Sequence, residues 1–194
     1  MYRSSVIDSL EKSRGKGEMF AFFYCDFRNE RSTSAAEVMR SILSQLLCQL
    51  RGGGLDVGGL INDMVTAKER GGATGRSARQ LARYVSATAG LWSQKPLVVV
   101  DALDECKSVQ DLLQALVMIR GRVRLFVTGR PLHTIVSELS GVPFLSMDDM
   151  ADKLSTDIEL HVTRELDARQ RLRDLDAGFK EQIRSALCSK ADGM

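Results

Sequence analysis

The segment Leu97-Val98-Val99-Val100-Asp101-Ala102-Leu103-Asp104-Glu105 runs four apolar residues into a carboxylate and adds two more acids at the third and fourth positions beyond it. A buried strand ending in Asp delivers that acid to the crevice at the carboxyl end of an α/β sheet. Phosphates bind there, and Mg²⁺ is held by one or two carboxylates, waters and the phosphates themselves. Hydrolysis requires a metal-binding acid with a nearby acid that orients water, and Asp101 with Asp104 and Glu105 supplies that combination. The plainer alternative is a helix N-terminus whose dipole Asp104 and Glu105 merely complement. A second run, Arg124-Leu125-Phe126-Val127-Thr128-Gly129-Arg130-Pro131, ends in a hydroxyl and a guanidinium, with Gly129 free to take an unusual backbone angle. An arginine at such an edge suits phosphate recognition. It equally suits a ligand-free ion pair with Asp101, Asp104 or Glu105.

Other chemistries find little support. Cys25, Cys48, Cys106 and Cys188 are scattered with no C-x-x-C pair, and His133 and His161 are the only histidines, so no metal-finger spacing exists. Thiol catalysis is disfavoured at Cys106 by the preceding Asp104 and Glu105. Cys25 and Cys48 fall at strand and helix positions, where free cysteine is packing material. His133 is expected to be exposed or capping, and His161, among Asp157, Glu159 and Glu165, to lie on a solvated helix face. Lys and Arg number 27 against 25 Asp and Glu, and a balance of +2 builds no field to recruit nucleic acid or an anionic membrane. The first residues carry Asp8 and Glu11 and lack an apolar core, so they do not read as a signal peptide, and no apolar run is long enough to span a bilayer. Scattered free thiols fit a reduced, cytoplasmic setting.

The elements that must position these acids are legible as periodicities. With 194 residues, 44% hydrophobic and 27% charged, the composition is that of a globular domain able to bury roughly 70% of its unfolded surface. Met19 to Phe27, Pro96 to Asp101, Arg124 to Thr128 and Val142 to Met147 are near-continuous apolar runs, as expected of strands covered on both faces in a parallel sheet. Between them lie helices with start signals. Ser34-x-x-Glu37 opens one whose face is Val38, Met39, Ile42, Leu43, Leu46, Leu47 and Leu50, stopping at Gly52. Ser77-x-x-Gln80 opens a second with Leu81, Tyr84, Val85 and Thr88 on one face, and Ser108-x-x-Asp111 a third with Leu112, Leu113, Leu116 and Val117. Leu132 to Leu139 makes a short fourth. Met150, Leu154, Ile158, Val162 and Leu166, then Phe179, Ile183 and Leu187, recur every four residues in a helical tail. Glycine-rich stretches at Gly52 to Gly59 and Gly71 to Gly75 link helices. Strands alternating with capped helices predict right-handed crossovers in an open α/β sheet, with the α/β region at residues 1–150 and a helical extension at 151–194.

FFYCDF followed by RNERSTS and a capped helix, then LVVVDALDEC, RLFVTGRP, DIELHVTREL and KADGM, resembles the NACHT-type nucleotide-binding domain of STAND ATPases. The nearest form is the nephrocystin-3-like N-terminal domain of fungal ankyrin- and WD-repeat receptors. The resemblance implies a P-loop-NTPase-like fold in which VVVDALDE is the Walker B segment. Asp101 is then the Mg²⁺-directed acid, Asp104 or Glu105 the water-orienting acid, and Thr128 and Arg130 sensors facing the γ-phosphate. The complete family domain takes ATP and Mg²⁺ and serves signal transduction, with roles in non-self recognition or programmed cell death.

One family element is missing from these residues. The phosphate loop G-x-x-x-x-G-K-[ST] occurs nowhere in the chain. Arg14-Gly15-Lys16-Gly17 has Gly17 where the Mg²⁺-binding hydroxyl belongs and leads into a strand, while Gly52 to Gly59 has no lysine. Losing about four charge-assisted hydrogen bonds at ~1.5 kcal/mol each removes ~6 kcal/mol, which weakens binding by ~10⁴. The expectation is therefore a chain that neither binds nor hydrolyses ATP measurably and needs no cofactor. In the family the strand before that loop lies between the Arg124–Thr128 and Val142–Met147 strands. Without it, the expected sheet has three secure parallel strands, ordered Met19 to Phe27, Pro96 to Asp101 and Arg124 to Thr128, and the last strand moves over or detaches. ADGM in the family runs on into a further helix, so the chain reads as the middle of a larger receptor or a shortened gene product. The alternative to a fragment of a signalling NTPase is a non-catalytic interaction module, with protein partners or self-association, or a truncated product without function.

Overall fold

The computed structural model describes residues 5–15, 17–28, 34–54, 56–70 and 77–191. Lys16, most of the RNERSTS segment, the glycines between 71 and 75, and the final 192–194 lie outside them. The chain divides into two compact units, Met1–Ser140 and Gly141–Met194. In the first, the elements are α1 (Ser5–Ser13), β1 (Phe20–Tyr24), α2 (Ala35–Gly52), α3 (Gly58–Arg70), α4 (Ala78–Gly90), β2 (Leu97–Asp101), a 3-10 turn (Leu103–Glu105), α5 (Val109–Ile119), β3 (Arg124–Val127) and α6 (His133–Glu138).

The fold is α/β, and its sheet is parallel with three strands in the order β1-β2-β3, as the sequence leads one to expect. Tyr24 stands opposite Asp101, and Val100 opposite Val127, so the three strands end at one level. Alternate residues serve two clusters, as a pleated strand requires. Ala21, Val98 and Val100 are buried in the main core with Met39, Ile42, Leu46, Leu112 and Leu116 of α2 and α5. On the opposite face Ile7 of α1 packs with Phe20 and Val99, flanked by Leu10, Phe22 and Tyr24. Phe20, Phe22 and Tyr24 form a column there, with ring centroids 5.7 and 6.1 Å apart.

Burial on both faces holds for β1 and β2 but not for β3. Leu125 and Val127 are partly buried against the main core, while Arg124 and Phe126 on the other face are exposed, Phe126 by 45%. The α1 cluster takes its residues from β1 and β2 and none from β3, so an apolar run there was not a sign of two covered faces.

The helix starts follow the serine signals with one change. Ser77 and Gln80 make the full reciprocal capping box on α4, and Ser34 accepts the Glu37 N–H on α2. Ser108 stands at the start of α5 but makes no side-chain cap to it. Its hydroxyl instead accepts the Ala35 N–H at 2.8 Å, the first donor of α2, so one serine joins the starts of two helices.

The two outer edges of the sheet are unequal. Along β1, Phe20 N–H donates to Gln49 Oε1 at 3.1 Å and Gln49 Nε2 donates to the Phe20 carbonyl at 2.7 Å. Gln45 repeats the pattern on Phe22, at 3.1 and 2.8 Å. Four residues of helix rise ~6 Å, and two residues of strand span ~6.6 Å, so two amides one turn apart on α2 fit alternate residues of β1. They stand where another strand would. The outer edge of β3 pairs with no strand among the described residues.

In the second unit a 3-10 turn (Asp148–Met150) precedes α7 (Ala151–Ala168), α8 (Gln170–Arg173) and α9 (Ala177–Ala191). Among the described residues there Leu166 is buried, and α7 and α9 are bridged by Lys180–Asp167 at 3.3 Å and Arg184–Glu159 at 3.0 Å. The expected strand at Val142 to Met147 does not form, and Phe144 is 73% exposed. A strand needs a neighbour to satisfy its N–H and C=O groups, and the sheet ends at β3. Among the described residues no helix is long and apolar enough to cross a membrane.

Candidate functional site

Four of the five candidate residues read from the sequence, Asp101, Asp104, Thr128 and Arg130, gather where β2 and β3 end. Asp101 closes β2, and Thr128 follows β3 with its N–H on the Val100 carbonyl at 3.0 Å. The Thr128 hydroxyl donates to Asp101 Oδ1 and accepts the Ala102 N–H at 3.1 Å. The Leu103 N–H reaches the Thr128 carbonyl at 2.9 Å. Two successive N–H groups therefore converge on one residue, and this is achieved by Ala102 at φ 56°, ψ 49°. Among the described residues Ala102 is the non-glycine with positive φ.

Asp104 and Arg130 meet each other. Asp104 Oδ1 accepts the Arg130 N–H at 3.1 Å, and Oδ2 lies 3.4 Å from Arg130 Nε. The Arg130 side chain is 81% exposed and that of Asp104 10%. Of the three acids weighed as its ligand-free partner, the structure selects Asp104. Gly129 permits the approach, because a Cβ there would sit 3.1 Å from Asp104 Oδ1 and 3.3 Å from Leu103 N. Glu105 turns elsewhere, and its Oε2 accepts the Phe27 N–H beyond β1 at 3.2 Å. His133 and His161 are exposed, as expected.

The described residues contain no group of three or more His, Cys, Asp or Glu side chains able to hold a metal. Asp101 with its Thr128 hydroxyl offers one carboxylate. That matches a Mg²⁺ carried largely by nucleotide phosphates and waters, not a dedicated protein site.

The family model described as Nephrocystin 3, N-terminal, matches residues 1–130. The chain belongs to the nephrocystin 3 N-terminal family. The matched span takes in the whole sheet and ends on Arg130, so every candidate residue lies inside it. No curated protein and no solved structure matches the chain.

This nephrocystin 3 N-terminal chain also joins two residues that the sequence left apart. Cys25 and Cys106 are both buried, each 4% exposed, and each thiol shifts the titration of the other. The Cys25 thiol, helped by the Ser108 backbone and hydroxyl, holds Cys106 down to about 7 against its burial. The Cys106 thiol, then burial, then the neighbouring acids push Cys25 up.

The strained alanine gives a direct test of how far this turn is preorganised in the nephrocystin 3 N-terminal fold. A left-handed residue other than glycine costs ~1–2 kcal/mol, and glycine's extra freedom when unfolded returns ~0.5–1 kcal/mol of that. Ala102→Gly is expected to raise stability by ~0.5–1 kcal/mol in urea unfolding. A loss instead would mean that the methyl group contributes packing that outweighs the strain.

Proposed function

We propose that this chain carries the acid and sensor half of a NACHT-type nucleotide site of a STAND signalling ATPase, and that residues 1–194 do not hold ATP by themselves. The observation that carries the reading is the coupling of Asp101 to Thr128 across adjacent parallel strands at their carboxyl ends. In this reading Asp101 is the Walker B acid that meets Mg²⁺ on a nucleotide. Asp101, its carboxylate fixed by Thr128, would hold a Mg²⁺ that accompanies the nucleotide, and the ion would supply neutralisation of the charge that develops on the phosphates. Thr128 fixes the Asp101 carboxylate and senses the phosphate from the next strand. Arg130, whose side chain is exposed while that of Asp104 is nearly buried, would leave Asp104 to meet the γ-phosphate. Asp104, once released, and Glu105 are the acids available to orient water. The phosphate loop is the part these residues lack.

Equilibrium dialysis and thermal unfolding with Mg·ATP test both halves. Residues 1–194 are expected to show no saturable uptake at micromolar ATP and no rise in Tm; micromolar affinity that Asp101→Asn abolishes would show the site to be complete without a phosphate loop. Fusing a family strand and G-x-x-x-x-G-K-[ST] loop ahead of Met1 is expected to create binding sensitive to Asp101→Asn. A folded fusion that binds no nucleotide would overturn the Walker B role.

A second reading, a non-catalytic module that binds proteins or further copies of itself and neither nucleic acid nor membrane, is favoured by the open β3 edge with Phe126 exposed beside it. Concentration-dependent association in light scattering that Phe126→Lys suppresses would support it.

A further inference from the structure

The unit Gly141–Met194 has almost no core of its own: of its large apolar side chains among the described residues, Leu166 alone is buried. Two helices cannot enclose a core, and a unit of this size depends on burying one. The bridges Lys180–Asp167 and Arg184–Glu159 hold α7 and α9 antiparallel and fix their register. That register sets Phe179 level with Leu166, Ile183 with Val162 and Leu187 with Ile158. Residues four apart share one helix face, so the six make an apolar face three layers long. Phe179 is 48% and Leu187 51% exposed there, and Ile158, Val162 and Ile183 are only half-buried. The two helices also differ in charge, α7 carrying five acids against two bases and α9 three bases against one acid.

We propose that this face is a dimerisation surface whose occupant is the same face of a second copy, the two hairpins closing into a four-helix bundle. The two-fold axis runs parallel to the helices, so α7 of one copy lies on α9 of the other and every neighbouring pair is antiparallel. The layers then match without slipping, Leu166 and Phe179 of each copy at one end and Ile158 and Leu187 of each at the other. Charge selects this axis. A two-fold across the helices would set acidic α7 on acidic α7 and basic α9 on basic α9, whereas the parallel one sets each helix on the opposite sign. Asp157 and Lys190, both exposed, lie on opposite outer edges of one hairpin, and the bundle brings Asp157 of each copy level with Lys190 of the other. The face is ~22 Å long and ~20 Å wide, so closure removes ~1,000 Å² over both copies, the low end for a specific pair, and association is reversible and micromolar. The surface is independent of the nucleotide site and of the β3 edge, both of which belong to the other unit.

Sedimentation equilibrium on the full chain is expected to show a reversible monomer–dimer equilibrium. Ile183→Lys, in the central layer, is expected to leave a monomer at concentrations where the parent is dimeric, and Phe126→Lys on the sheet edge to change nothing. Circular dichroism checks that Ile183→Lys keeps its helices. Should it lose them, Lys190→Glu carries the test from an exposed position: it sets like charges opposite Asp157 twice per dimer and is expected to weaken association about fivefold. Adding Asp157→Lys to it is expected to restore the parent affinity. A chain that stays monomeric up to about 1 mM, as it would if its own α/β unit or an unrelated protein covered the face, overturns the proposal. A dimer that Phe126→Lys abolishes and Ile183→Lys spares puts the contact on β3 and overturns it as well. A loss in Lys190→Glu that Asp157→Lys does not reverse overturns the two-fold that pairs α7 with α9.

Discussion

Replacing Gln45 and Gln49 together with alanine is expected to lower the unfolding free energy by about 2–4 kcal/mol and to make the protein self-associate. Each amide both donates to and accepts from a single residue of β1, so the pair satisfies four backbone groups on Phe20 and Phe22. A net hydrogen bond contributes ~1 kcal/mol, and more when its loss leaves a part-buried group unmet. Urea unfolding reads the stability, and light scattering reads the association. Gln→Glu at either position separates the two bonds, since a carboxylate still accepts the strand N–H but cannot donate to the carbonyl. A double alanine variant within 0.5 kcal/mol of the parent, and still monodisperse, would show that water serves this edge as well as the side chains do.

Thr128→Val is expected to cost about 1–3 kcal/mol, while Thr128→Ser stays within about 0.5 kcal/mol. The valine keeps the shape and removes the hydroxyl, leaving the Ala102 N–H without its acceptor and Asp101 Oδ1 without its donor. Serine restores both bonds. The contrast separates hydrogen bonding from packing, because loss of a methyl group is the only change serine makes. In the fusion that carries a phosphate loop, the valine variant is also expected to weaken nucleotide binding beyond what its stability loss explains. Equal stability of the valine and serine variants would show that the Thr128 hydroxyl is not what fixes the end of β2.

The parts of the fold that depend on local signals were readable from the chain. LVVVD is apolar enough to be a central strand, and Ser34 and Ser77 announce helix starts through bonds made within four residues. The placement of two candidate residues was readable for the same reason, since Asp101 ends its strand and Thr128 follows the next. What escaped depended on partners distant in sequence. Ser108 has the spacing of a cap but spends its hydroxyl on α2, because the starts of α2 and α5 come together. Cys25 and Cys106 share one core cluster although they lie far apart in the sequence, which spacing does not reveal. RLFV has the composition of a covered strand, yet α1 reaches only β1 and β2. Val142 to Met147 has strand composition without a ladder to join. The sealed edge did leave a trace: Gln45 and Gln49 stand one helical turn apart beside an apolar stripe, where a polar pair calls for hydrogen-bonding partners.

That asymmetry limits the symmetry of any assembly made through the sheet. Joining β1 of one copy to β3 of the next is a head-to-tail contact that repeats without closing and grows into a fibre. The amides of Gln45 and Gln49 occupy the place such a neighbour would need. Only β3 against β3 remains, a contact related by a two-fold axis that uses both open edges at once. Edge-to-edge pairing confined to β3 would close at two copies, with the two glutamines, at the opposite edge from β3, setting that number.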